Sequence, residues 1–143
     1  MAVGTVRNIE RSIHKTNQWL KDVAEELSFS EEQAYIALRA TLHMLRDRVT
    51  VDEATDFASQ LPMVIQGIYY EGWKPANKPE KMDKTAFVSR VHSHFNNDPD
   101  TDPEKVIEGV LRVLHEKASD GEIKDMESNV PKDIRELFYQ AFL

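Results

Sequence analysis

The sequence predicts an all-α fold: about eight helices, arranged as two tandem four-helix units packed into one compact domain. Three observations carry that prediction. The chain matches itself without a gap at an offset of 69 positions, which lays Leu42, Leu45, Glu53, Asp56, Ser59, Pro62, Ile65 and Tyr70 onto Leu111, Leu114, Glu122, Asp125, Ser128, Pro131, Ile134 and Tyr139. Self-similarity at a fixed offset marks a duplicated structural unit. Apolar residues recur at three- and four-residue steps, the period of a helix that buries one face. No segment carries a convincing strand pattern.

In chain order, residues 1–16 read as an N-terminal helical extension, 17–71 as the first four-helix repeat, 72–82 as a Pro/Lys linker and 83–143 as the second repeat. Val6, Ile9 and Ile13 are helically spaced and have no counterpart in the second unit, so they are expected to pack elsewhere, for instance on a second copy. The first helix of each unit aligns with a one-residue shift, Trp19, Leu20, Val23 and Leu27 falling on Phe87, Val88, Val91 and Phe95. The longest periodic segment is Glu31–Val49, with Ala34, Leu38, Thr41, Leu42, Leu45 and Val49 on one face, and Ser30 with Gln33 as the capping box that opens it. Its equivalent carries Ile107, Val110, Leu111, Leu114 and Ala118, with Asp102 as cap and Pro103 at the first helical position, where a missing N–H is harmless.

A shorter helix follows in each half. Thr50-Val-Asp-Glu53 and Ser119-Asp-Gly-Glu122 are both S/T-x-x-E boxes at equivalent positions, in which the glutamate is expected to reach back to the cap residue's N–H. Pro62 and Pro131 then each open a last helix, because proline disfavours helical geometry just before it and suits a helix start. The linker holds Pro75 and Pro79 and is expected to be extended.

Composition narrows the function. Apolar content of 41% with 30% charged residues is ordinary for a globular protein. No apolar run approaches the roughly 20 residues of a bilayer span, and residues 1–11 lack a secretory apolar stretch. A cytoplasmic protein without membrane contact is expected. The absence of cysteine excludes thiolate chemistry and Cys-based metal centres. A net charge of −7 disfavours nucleic acid, whose phosphates need clustered cations.

Candidate chemistry is sparse. Asp98-Pro-Asp-Thr-Asp102 resembles the opening of a calcium loop, but the turn glycine and the closing glutamate are replaced by Pro103 and Gly109. His92 and His94 are two apart on a helix and point to different faces. His43 and His115 lack a Glu-x-x-His context, so no metal ligand set is expected. Glu53, Asp56, Glu122 and Asp125 are explained by their helix N-termini. No nucleophile elbow or phosphate-cradling glycine loop is present, so neither a catalytic residue nor a cofactor is assigned. The remaining feature is aromatic: Tyr69, Tyr70 and Trp73, with Trp19 and Phe29, residue types that suit a half-wet binding surface.

Several of these residues also form a recognisable string. Leu45-Arg-Asp-Arg48, Glu53-Ala54, Gln60-Leu-Pro62, Tyr70-Glu-Gly-Trp-Lys-Pro75 and Lys78-Pro79, followed by Phe87-x-x-x-Val91 and Pro131, resemble the bacterial all-helical proteins catalogued as domain of unknown function 2267. The resemblance runs from about residue 17 to the C-terminus. It implies a two-repeat helical fold and brings no established activity. Asn129-Val130-Pro131 stands where a second Gln-Leu-Pro would be, and Lys117 stands opposite Arg48, so only the first unit keeps the motif in full.

The functional expectation is a non-catalytic protein-interaction module. The alternative is a carrier of an apolar small molecule between the two repeats, with an enzyme of unknown reaction ranked below it. Arg48, Gln60, Tyr70 and Trp73 are the expected partner-binding residues: Arg48 ends the long helix, Gln60 precedes a helix with free N–H groups, and Trp73 lies in the linker. The competing explanation for Arg48, Gln60 and Trp73 is internal, with the two polar side chains meeting loop carbonyls and Trp73 stapling the linker to the core.

Overall fold

Ser30 sets where the central helix begins. Its hydroxyl accepts from the Gln33 N–H at 3.2 Å while its own N–H donates to the Gln33 side chain at 3.0 Å. The capping box therefore closes in full and opens α2 (Glu31–Arg48). In the computed structural model, which describes residues 6–143, this helix is buried on nearly every side. Ala34, Ala37 and Ala40 are fully buried and keep its girth small, so neighbouring helices can approach it closely.

Around α2 stand α1 (Arg7–Leu27), α3 (Val51–Ala58), α4 (Met63–Tyr70), α5 (Lys84–Ser93) and α6 (Pro103–Lys117); α7 (Asp120–Asn129) and α8 (Lys132–Ala141) complete the chain. α1 is one continuous helix that merges the expected extension with the first helix of the first unit. The part of that extension before residue 6 lies outside the described residues. α1 packs on both α2 and α6, so helices from the two halves share one core around Leu38, Leu42, Leu45, Ile107 and Leu111. Where α1 crosses α6, Gly109 makes the approach possible: a Cβ there would run into Leu27 Cδ2 and lie 2.9 Å from Leu27 Cγ.

Helix starts follow the sequence with two corrections. Asp102 accepts from the N–H groups of Glu104 and Lys105, Pro103 occupies the first turn, and Asp83 accepts from Ala86. Thr50 and Ser119 accept from the N–H groups of Glu53 and Glu122. The glutamates do not reach back to the caps, however; each leaves one buried carboxylate oxygen without a partner. Pro62 and Pro131 are themselves the cap residues, and α4 and α8 begin one residue later, at Met63 and Lys132. The beginnings of α3 and α7, the beginnings of α4 and α8, and the ends of α2 and α6 keep the 69-residue offset.

The linker is not simply extended. Gly72 and Asn77 take left-handed backbone at φ 73° and 64°, and the segment folds back until the Glu80 N–H donates to the Asp47 carbonyl at 2.7 Å. The aromatic cluster also divides. Trp19 is buried near Lys117, Phe29 stacks on Phe95 at 5.9 Å, and only Tyr69, Tyr70 and Trp73 remain together.

Candidate functional site

A helix of eight residues such as α4 ends with carbonyls that have no partner within the helix. Three side chains of α2 and one aromatic stack meet that end. His43 Nε2 lies 2.6 Å from the Ile68 carbonyl. Arg46, 5% exposed, donates through Nη1 to the Tyr69 carbonyl at 2.6 Å and the Glu71 carbonyl at 2.7 Å. Arg39, one turn earlier than His43, pairs with the Glu71 carboxylate at 2.6 Å. That pairing holds the Glu71 carboxyl below its ordinary range.

The same helix end holds the linker. Asp47 bonds Arg46 through its side chain, lies 3.6 Å from the Lys78 ammonium and accepts from Glu80 through its carbonyl. Arg48 Nε donates to the Met82 carbonyl at 3.0 Å. The Leu45-Arg-Asp-Arg48 and Tyr70-Glu-Gly-Trp-Lys-Pro75 strings are thus two sides of one clasp, made mostly of cationic donors and backbone carbonyls.

Arg48, Gln60, Tyr70 and Trp73 occupy three places. Arg48 lines a depression of about 560 Å³ with Lys81, Met82 and Asp133. Gln60 lines another, of about 460 Å³, with Lys15, Trp19, Pro62 and Lys117, and its side-chain Oε1 accepts from the N–H of Ser119, the cap residue of α7, at 3.1 Å. Tyr70 stands between Tyr69 and Trp73, with ring centroids 5.2 and 5.4 Å away. Trp73 packs the linker on this stack, and its buried Nε1 has no acceptor. Only Tyr70 and Trp73 come together.

Two features lie away from this clasp. The first is where α3 packs on α7. Glu53, 7% exposed, has its carboxyl pushed up to about 7, first by burial and then by the charges of Asp125, Glu122 and Asp56. Glu53 and Glu122 are repeat equivalents, which is the sequence signal for this contact, and their place in the capping boxes masks it. His43 is affected in the opposite sense: burial lowers its pKa below the ordinary imidazole value despite the bond to Ile68.

The second feature is the N-terminal half of α1. Val6, Ile9 and Ile13 are 57%, 47% and 47% exposed, although the same helix buries Trp19 and Val23 two turns further on. Arg7, Arg11 and Lys15 accompany them, giving this half-helix a positive balance on an otherwise acidic chain.

Among the described residues no helix is long and apolar enough to cross a membrane, and no group of three or more His, Asp or Glu side chains is placed to hold a metal ion. No curated protein matches the chain. A family model, that of the Uncharacterized conserved protein (DUF2267), matches residues 16–137. The match spans α1 from its second half through most of α8, including both sides of the clasp, and the chain belongs to this family of uncharacterised conserved proteins.

Proposed function

We propose that the protein is a non-catalytic protein-interaction module of the cytoplasm, and that its contact surface is the N-terminal half of α1. The observation that carries this reading is the pair Ile9 and Ile13 on α1 with Val6 at its cap: three branched aliphatic side chains about half exposed. A helix face of this kind is suited to lying in an apolar groove of a partner, with anchors three and four residues apart. The cations Arg7, Arg11 and Lys15 favour an acidic rim around that groove.

Arg48, Gln60, Tyr70 and Trp73 then serve the fold on which the surface is mounted. The bonds of Arg48 to Met82 and Gln60 to Ser119, and the stacking of Trp73 on Tyr70, support that internal role. The carrier alternative finds less support, because the depressions lined by both halves of the chain are walled by Asp22, Glu25, Glu26 and Glu116 beside Val113, and by Lys15, Gln18, Gln60 and Lys117 beside Trp19 and Leu61, linings that suit polar rather than apolar matter. The shared 69-residue offset of helix boundaries supports the origin of the scaffold as two tandem units.

The test compares the wild type with the Ile9→Lys/Ile13→Lys variant by native mass spectrometry after gentle isolation from the native cells. The expected result is a stoichiometric protein partner, or a second copy, on the wild type and a bare monomer for the variant, with melting temperatures within about 2 °C because the changed positions are already exposed. A bare wild-type monomer, or a partner that stays bound to the variant, rejects this surface.

A further inference from the structure

Reciprocal contacts join α3 to α7. Gln60, beyond the end of α3, accepts from the N–H of Ser119, the α7 cap; Asn129, at the end of α7, accepts from the hydroxyl of Thr50, the α3 cap, at 3.4 Å. Gln60 and Asn129 are 69 residues apart, as are Thr50 and Ser119. The two short helices therefore meet through equivalent positions, and the equivalent acids Glu53 and Glu122 are brought to the same contact. Glu53 is 7% exposed, and Glu53 Oε1 and Glu122 Oε2 are buried oxygens without a hydrogen-bond partner. An unpartnered buried carboxylate is costly as an ion and far less so as an acid, which can also donate a hydrogen bond.

The charges around Glu53 favour the acid. Asp56 on its own helix and Glu122 and Asp125 on α7 all oppose ionisation. Lys124, the one cation of α7, is exposed, and its charge is not among those acting on Glu53. From α2, which also packs on α3, Arg46, Asp47 and Arg48 are committed to α4 and the linker. Tyr69 of α4 senses the Glu53 charge, but its hydroxyl is bound to the Ala54 carbonyl at 2.8 Å.

We propose that the α3–α7 contact is a proton-operated clasp, closed while the buried Glu53 carboxyl carries a proton and loosened when it ionises among Asp56, Glu122 and Asp125. Glu53 lies near neutrality rather than at its ordinary value of 4.5, so the clasp would respond within the physiological range. Its sign is that of a raised acid. The stabilisation is fully present below about pH 4.5 and is lost progressively as pH rises to about 7. The consequence is local: α3 and α7 become easier to open while the core around α2 stays closed.

The full-length wild type and Glu53→Gln, which keeps shape but cannot ionise, are compared by thermal melts from pH 5 to pH 8 and by hydrogen exchange corrected for intrinsic rates. The two proteins are expected to melt alike at pH 5, with the variant higher by roughly 3–8 °C at pH 8. Wild-type protection at pH 8 should fall in α3 and α7 alone. A difference that does not change with pH, or protection lost evenly over all helices, overturns the proposal. Carboxyl ¹³C titration of the wild type provides a readout that does not depend on the variant: one glutamate with a midpoint near 7 supports the clasp, and none above 6 rejects it. Added magnesium or calcium that raises the wild-type melt at pH 8 but not that of Glu53→Gln would replace the proton with a cation and overturn the proposal as well.

Discussion

Arg46 sits where α4 runs out of hydrogen-bond partners, and its Nη1 supplies two donors to that end. Truncating it leaves the Tyr69 and Glu71 carbonyls without their donor beside the core, a desolvation loss on top of the lost bonds. Arg48 makes one bond to a linker carbonyl from a half-buried position, and Gln60 makes one at an exposed cap. The three truncations are therefore expected to rank. Arg46→Ala should cost about 2–4 kcal/mol, Arg48→Ala about 1 kcal/mol and Gln60→Ala roughly 0.5–1 kcal/mol, read from urea midpoints at constant slope. An Arg48 or Gln60 truncation as costly as that of Arg46 would contradict this ranking. Arg46 itself was the residue the sequence concealed. It stands inside the Leu45-Arg-Asp-Arg48 string, but a permanently charged side chain is ordinarily assigned to the surface, and only the location of the α4 terminus explains its burial.

At the scale of the elements, close approach of α1 to α6 depends on Gly109. Alanine would gain helix propensity of about 1 kcal/mol over glycine at that position. The added methyl group collides with Leu27, and the collision should win, leaving Gly109→Ala less stable by roughly 1–2 kcal/mol. With Leu27→Ala already in place, the same substitution should become neutral or stabilising. A double-mutant cycle in which the two changes simply add would show that the helices separate freely here. Most element starts were legible beforehand: Ser30 with Gln33, Asp102 with Pro103, and the hydroxyl halves of the Thr50 and Ser119 boxes all formed as their spacing predicts. Glu53 and Glu122 departed because a carboxylate that can satisfy its own cap was instead drawn into a contact with a distant helix. The linker departed for a similar reason: Asp47, thirty-three residues before Glu80, provides an acceptor that turns the segment back.

For the whole molecule, two buried groups give stability opposite responses to pH. Glu53 is raised, so its contribution declines as pH rises from about 4.5 to about 7. His43 is lowered, so its contribution is present above the ordinary imidazole value of 6.5 and is lost as pH falls through the depressed value. Just below pH 6.5 the two oppose each other, so in the wild type each masks part of the other's response. Glu53→Gln should expose the His43 response, with stability rising with pH across that window. His43→Gln should expose the Glu53 response, with stability falling. Parallel curves for all three proteins would show that neither group titrates as the structure implies. By itself the sequence determined the all-helical class, the family resemblance, most helix boundaries and the apolar row of Val6, Ile9 and Ile13, because periodicity, caps and prolines act through bonds a few residues long. Only the tertiary structure decided that Arg46 serves α4, that Arg48 and Gln60 face the second half of the chain, and that Glu53 meets Glu122, because each of these depends on which surfaces a shared core brings together from positions far apart in the chain.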